Sequence, residues 1–308
     1  MNFSAKVKSE LITKSLKKPC CKLAALSAFI RTSGSIVTRG KKVGFVLSCD
    51  AELGEFFISV VEKLFGETPT AYSKRSERVK ITFLSDDSLD ILLKTKIIEI
   101  SGDGLNVRLD IDDELLKNDC CADAYIIGAF LGSGSVTVPE IDGGKSTGYH
   151  LEFVFSKYVT ASDFADLLSR RGFMPKTVGR KDNFVVYFKS TEEISGVIAQ
   201  MGAVNSYLYL TDVQVKKEVR NEENRKLNCE MSNLTKQIDA AIRIRRDIET
   251  IEKSIGLFAL PETLRSVCAA RLEDESASMS ELAQKLGISK SCLNHRLRKI
   301  REIANDLQ

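Results

Sequence analysis

The chain has 308 residues, 43% hydrophobic and 28% charged, with a formal net charge of +3. That length suits two or three domains, and the balance is that of a globular protein, which excludes a disordered or fibrous chain. The small net charge also excludes a nucleic-acid binder that works by bulk basicity, so any such role must rest on local charge.

Residues 1–18 carry lysines but no apolar core, so they do not read as a secretory signal. No run approaches the ~18 apolar residues of a membrane span. A cytoplasmic protein without a membrane partner is expected. None of the eight cysteines forms a CxxC pair, and adjacent cysteines such as Cys20-Cys21 have poor geometry for zinc. They are expected to be reduced, mostly buried small residues, with no metal and no other cofactor. The two histidines, His150 and His295, leave little room for a histidine-based metal site or triad.

The chain repeats itself at an offset of 100 residues. CCKLAALSAFIRTSGSIV begins at Cys20, and CCADAYIIGAFLGSGSVT begins at Cys120. Cys20, Cys21, Ala24, Ser33, Gly34 and Ser35 meet their counterparts Cys120, Cys121, Ala124, Ser133, Gly134 and Ser135. In each copy a helix ends at the glycine and a strand leaves it, at 35–38 and 135–138. A glycine-bearing loop follows (Gly40; Gly143 and Gly144), then a second strand at 43–48 and 150–156. An amphipathic helix comes next, at 52–65 and 161–171. A strand pair then ends at 79–83 and 184–188, and a closing helix spans 88–98 and 192–201. The unit is αββαββα, twice. Small residues recur every four positions in the opening helices: Ala24 and Ala28, then Ala124, Gly128 and Gly132. Such rows let helices approach closely, so the two copies are expected to pack these helices around a pseudo-two-fold axis.

Residues 26–34 and 126–134 occupy the nine positions of a LAGLIDADG motif, and the pattern resembles the LAGLIDADG homing-endonuclease fold. The resemblance implies a saddle of antiparallel strands that straddles DNA. It also implies an acid at the penultimate motif position of each helix, where the pair holds divalent metal. Here those positions are Ser33 and Ser133. Neutral hydroxyls do not replace carboxylates as principal ligands of a hard cation, which argues against a two-metal nuclease. Rescue by Asp123 or Glu140 is the alternative. Arg39, Lys41, Lys42, Lys74, Arg75, Arg78 and Lys80 lie on strands and loops of the first copy, and Lys176, Arg180, Lys181 and Lys189 on those of the second. They suit phosphate neutralisation, or equally ordinary protection of strand edges. The repeat also suits a protein-interaction scaffold.

Residues 219–226 (VRNEENRK) read as a boundary or an exposed helical stretch. Apolar residues then recur at three- and four-residue spacing from Leu227 to Ile255, one face of a long helix that Gly256 stops. That face is expected to pack on the C-terminal bundle, with a dimer contact as the alternative. The expected division is residues 1–118 as a first half with an N-terminal helix, 119–222 as a second half, and 223–308 as connector and DNA-binding domain.

At the C-terminal end Ser278 and Glu281 have capping-box spacing, Gly287 suits a left-handed helix stop, and Ser289 caps a second helix. With Leu282, Ala283, Leu286, Ile288, Leu293, Leu297 and Ile300 facing inward, these features make a helix-turn-helix. Lys285, Lys290, Arg296, Arg298, Lys299 and Arg301 outweigh Glu281, Glu302 and Asp306 here, a local excess as large as that of the whole chain. Ser291, Asn294, His295 and Arg298 project opposite the apolar face and suit base edges in the major groove. Ser289, Lys290, Arg296, Lys299 and Arg301 suit phosphates.

A degenerate LAGLIDADG repeat joined to this helix-turn-helix resembles the WhiA family. The carrying residues are Asn224-Arg225, Leu227-Asn228-Cys229-Glu230, Asn233-Leu234, Lys236, Gly256-Leu257, Leu260-Pro261, Ser289-Lys290-Ser291 and the run from Asn294 to Ile300. The resemblance implies an α+β chain with an all-α C-terminal domain. It implies a transcription factor or chromosome-associated protein of sporulation, cell division or chromosome segregation. Double-stranded DNA and protein partners in transcription or cell division are expected, in a nucleoid-associated, non-enzymatic protein. The alternatives are an active metal-dependent endonuclease and a partner-binding scaffold with an auxiliary helix-turn-helix.

Overall fold

A computed structural model describes residues 2–14, 16–102, 104–139, 148–274 and 276–307. Gly143, Gly144 and Glu140 lie outside the described residues. The chain separates into two compact units, Met1–Lys217 and Glu218–Gln308.

The first unit opens with α1 (Phe3–Lys14) and α2 (Pro19–Ser33). Strands β1 (Gly34–Arg39) and β2 (Lys42–Asp50), helix α3 (Ala51–Phe65), and strands β3 (Ala71–Arg75) and β4 (Arg78–Phe83) follow, then α4 (Ser88–Lys94). A hairpin, β5 (Ile98–Ser101) and β6 (Gly104–Val107), leads to a short 3-10 turn. The second copy is α5 (Asp119–Ser133), β7 (Ser135–Thr137), β8 (His150–Phe155), α6 (Tyr158–Arg170), β9 (Lys176–Arg180), β10 (Asn183–Phe188) and α7 (Thr191–Gln200). Both large sheets are antiparallel, and their orders, β1-β2-β4-β3 and β7-β8-β10-β9, are the same topology written twice.

The two copies share one apolar core. At its centre α2 and α5 run parallel in near backbone contact. A Cβ on Gly128 would strike the Ala25 carbonyl, and one on Gly132 would strike the Thr32 hydroxyl. Ala24, Ala25, Ala28, Ala124 and Ala129 are all buried along this seam. Aromatic rings fill the space beneath each sheet: Phe29 stacks on Phe57 at 3.7 Å, and Phe153 lies 4.8 Å from Phe164. Along β8 the inward residues Leu151, Phe153 and Phe155 alternate with half-buried His150, Glu152 and Val154.

Three features depart from the sequence reading. Helix α4 ends at Lys94, not Ile98, and the β5–β6 hairpin follows. The alternation Ile98-Glu99-Ile100 carries the strand signal, and Arg31 holds the segment by donating to the carbonyls of Lys96 and Arg108, both at 2.7 Å. The N-terminal helix also bridges the halves. The Ser4 hydroxyl donates to the Val136 carbonyl and accepts from the Val136 N–H, while Lys8 donates to the Leu131 carbonyl at the end of α5. Finally, the long helix α8 (Val204–Ser254) begins well before Leu227. The Glu10 carboxylate accepts from the Asn205 and Ser206 N–H groups at its start. The charged run from Val219 to Lys226 continues the helix because its residues are good helix formers, with Glu222 and Lys226 paired at 3.1 Å.

Gly128 offers a direct test of the seam. Gly128→Ala inserts a methyl group where backbone already stands, and is expected to cost about 1–3 kcal/mol. Gly104→Ala, with open space around it, is expected to fall within about 0.5 kcal/mol of the parent. Urea unfolding of both variants checks the difference.

Candidate nucleic-acid interface

In the second unit, α8 is followed by Gly256 in a positive-φ conformation and a 3-10 turn. The expected apolar face of this helix splits. Ile244, Ile248 and Ile251 are buried in the unit's core, whereas Leu227, Met231, Leu234 and Ile238 are exposed. Helices α9 (Glu262–Glu273), α10 (Met279–Lys285) and α11 (Lys290–Asp306) complete the bundle.

The turn between α10 and α11 forms from local chemistry. The Ser278 hydroxyl accepts from the Glu281 N–H at 3.3 Å, and the Glu281 carboxylate accepts from the Ser278 N–H at 2.7 Å. Gly287 adopts φ +63°, which a side chain would strain. The Ser289 hydroxyl accepts from the Cys292 N–H at 3.1 Å. Leu293, Leu297, Ile300 and Ala304 then anchor α11 through Leu282 and Ala283 of α10 and Val267 and Cys268 of α9.

This burial fixes what α11 offers to solvent. Ser291, Asn294, His295 and Arg298 are all exposed, and their spacing of three and four residues aligns them on one face. Arg298 makes no hydrogen bond or ion pair within the described residues, which leaves its guanidinium available to a partner. Ser289, Lys290 and Lys299 are exposed beside that face. Two flanking cations have internal partners as well: Arg296 donates to the Thr263 carbonyl at 3.3 Å, and Arg301 donates to Asp247 at 3.4 Å. Sequence spacing does not disclose these two contacts, because both partners lie on other helices.

The penultimate motif positions, Ser33 and Ser133, are hydrogen-bonded to backbone. The Ser33 hydroxyl donates to the Phe29 carbonyl of its own helix at 2.8 Å. The Ser133 hydroxyl accepts from the Val154 N–H at 3.2 Å, tying the end of α5 to β8. Asp123 stands nearly three helical turns away from Ser133 and is engaged by Arg171 at 2.8 Å and Gln200 at 2.7 Å. The basic residues of the two sheets are exposed, but several are occupied. Lys42 pairs with Asp86 at 3.2 Å, and Arg78 donates to the Ser48 carbonyl.

The eight cysteines are free thiols, and six of them are buried or half-buried. Cys20 and Cys229 are exposed, and Cys20, Cys21, Cys120 and Cys121 converge with all their Sγ atoms within 4.8 Å of one another. One adjacent pair on one helix has poor ligand geometry; two pairs brought together by the α2–α5 seam do not share that limit. Burial pushes the Cys21 thiol up to about 12 and the Cys121 thiol up to about 11.

Comparison with known proteins agrees with both units. The WhiA LAGLIDADG-like domain model matches residues 122–220, and the WhiA C-terminal HTH domain model matches residues 224–304. The chain is 38% identical over 320 residues to the probable cell division protein WhiA of Alkaliphilus oremlandii, covering 100% of this chain and 98% of that one. It is 35% identical over 318 residues to the protein of the same name from Bacillus licheniformis, covering 100% and 98%. The crystal structure of full-length DUF199/WhiA from Thermatoga maritima superposes with a TM-score of 0.61 over 99% of each chain, at 22% identity.

The capping box makes a prediction about acid. The Ser278 N–H holds the Glu281 carboxylate below its ordinary range. A depressed folded-state value stabilises the helix above the ordinary value of 4.5, and that stabilisation is lost as pH falls through the folded value. Protection of the α10 amides against hydrogen exchange in the full chain, taken relative to the intrinsic rate at each pH, is expected to fall more in the parent than in Glu281→Gln as pH is lowered from neutral. Ser278→Ala is expected to destabilise α10 by about 1 kcal/mol at neutral pH.

Proposed function

The chain belongs to the WhiA family, and from that premise we propose that it is a sequence-specific DNA-binding regulator. Its setting is cell division, with chromosome segregation, sporulation and transcription control as the processes it serves. The observation that carries this reading is the exposed polar face of α11, set on a helix whose other face is locked in the core. Ser291, Asn294, His295 and Arg298 read base edges in the major groove. Arg has the fork for guanine O6 and N7, and Asn has the donor–acceptor pair for adenine. Ser289, Lys290, Arg296, Lys299 and Arg301 engage phosphates, with the α11 N-terminus adding its own dipole. The internal contacts of Arg296 and Arg301 give these two a second duty, orienting α11 on its bundle.

The repeat unit acts as a scaffold and not as a nuclease. The support is chemical: Ser33 and Ser133 present hydroxyls bound to backbone where hard cations need carboxylates. No helix of the described residues is long and apolar enough to cross a membrane. The protein works on the nucleoid, in the cytoplasm, with protein partners in transcription or division.

Genome-wide immunoprecipitation from cells identifies the site, and binding to that duplex then tests the roles. Arg298→Ala is expected to lower specific affinity by ~1–3 kcal/mol and to relax preference at one base pair. Lys299→Ala is expected to weaken binding to all sequences alike and to reduce the salt slope by about one. Unchanged affinity in Arg298→Ala removes it from base reading. Site-specific cutting of DNA in Mg²⁺ or Mn²⁺ overturns the non-enzymatic reading.

A further inference from the structure

The cysteine doublets of the two repeat copies have no part in the DNA-binding role. They open α2 and α5, one doublet per helix, and the parallel packing of those helices carries both to one end of the pseudo-two-fold axis. All four Sγ atoms lie within 4.8 Å of one another. Among the described residues no other group of three or more His, Cys, Asp or Glu side chains converges in this way. None of the four is in a disulfide.

We propose that Cys20, Cys21, Cys120 and Cys121 form a tetrahedral tetrathiolate site for one zinc ion, which staples the two halves of the repeat at their axis. A tetrahedron with Zn–S bonds of ~2.3 Å has sulfur–sulfur edges of about 3.8 Å. The sulfurs therefore need to close by no more than about an ångström, which side-chain rotation supplies. A [4Fe–4S] cluster assigns each thiolate its own iron and spreads the sulfurs wider than this group. Four thiolates complete the coordination of zinc and leave no open position, so the site is structural and not hydrolytic.

Charge and access fit the same ion. Binding releases four thiol protons to solvent and leaves a zinc tetrathiolate of net charge −2. Two helix N-termini point their positive ends at it. Cys20 and Cys121 open into an adjoining groove of about 570 Å³ lined also by Lys94, Lys96, Lys117 and Glu114, in which Lys96 pairs with Glu114 at 2.6 Å and Lys94 with Asp90 at 2.7 Å, leaving a net positive lining. Cys20 is exposed, so an ion has a path in. The Asn118 amide lies 3.9 Å from the Cys121 sulfur as an outer donor. Cys21, whose thiol donates to the Cys120 carbonyl at 3.4 Å, gives up that contact when it turns to the ion.

The test uses the full chain purified with a phosphine reductant, which keeps disulfides from forming. Expected results are about one zinc per chain by elemental analysis and intense charge-transfer and d–d bands of tetrahedral thiolate cobalt after exchange with Co²⁺. Competition with a chromophoric chelator is expected to show zinc affinity falling at least about 10-fold in Cys20→Ser and in Cys120→Ser, since outer-shell changes alone reach that size. Circular dichroism checks that these variants fold, and the cobalt spectrum of the parent stands even if they do not. Four results overturn the proposal. They are a chain that remains metal-free after incubation with zinc, cobalt bands without thiolate character, an iron chromophore, and zinc whose affinity survives both substitutions in folded protein.

Discussion

The close approach of α2 and α5 is the constraint on which the first unit depends. Ala24, Ala25, Ala28, Gly128 and Gly132 remove the side-chain layer that normally separates two helices, so backbone meets backbone at the axis. Once that seam closes, each sheet must cover its own side of the pair, and the two sheets acquire the same order. The ends of the helices are thereby fixed too. One end gathers the cysteine doublets and the other holds Ser33 and Ser133, each bound to backbone. A duplicated sequence thus becomes paired chemistry only because the duplicated helices touch.

The second unit obeys a more local logic. Its helix boundaries are set within a few residues by a reciprocal cap at Ser278 and Glu281, a left-handed Gly287 and a single cap at Ser289. Its core is built from residues at three- and four-residue spacing, so the opposite face of α11 is exposed by necessity. Residues opposite the core are free of packing duties, whereas flanking Arg296 and Arg301 also brace α11 against α9 and α8. A substitution at either of these two removes a contact that holds α11 on its bundle.

The two ends of the α2–α5 pair carry different side-chain chemistry. Hydroxyls at Ser33 and Ser133 place no like charges side by side at the ends of α2 and α5. They pair with the Phe29 carbonyl and the Val154 N–H, which ties both helix ends to backbone. A soft ion at the opposite end of the same helices would act in the same direction, as a fastening and not as a reagent.

The repeat, the opening-helix packing and the helix-turn-helix were legible in the sequence because each is written in local periodicity. Cys20 and Cys120, Gly34 and Gly134, and the Ser278–Glu281 spacing need no long-range knowledge to be noticed. The β5–β6 hairpin is hidden in the sequence because Ile97 and Ile98, following the apolar residues of α4, read as the continuation of that helix until Arg31 from α2 clamps the segment. Residues 219–226 read as a boundary or as an exposed helical stretch, and α8 takes the second course, with Glu222 and Lys226 paired one turn apart. The sequence by itself determined the fold family, the repeat and the polar face of α11, all functions of neighbours within a few turns. Only the tertiary structure decided that four thiols separated by 100 residues share one site, and that Arg296 and Arg301 are braced. Those outcomes depend on which helices touch, and spacing along one chain does not carry that information.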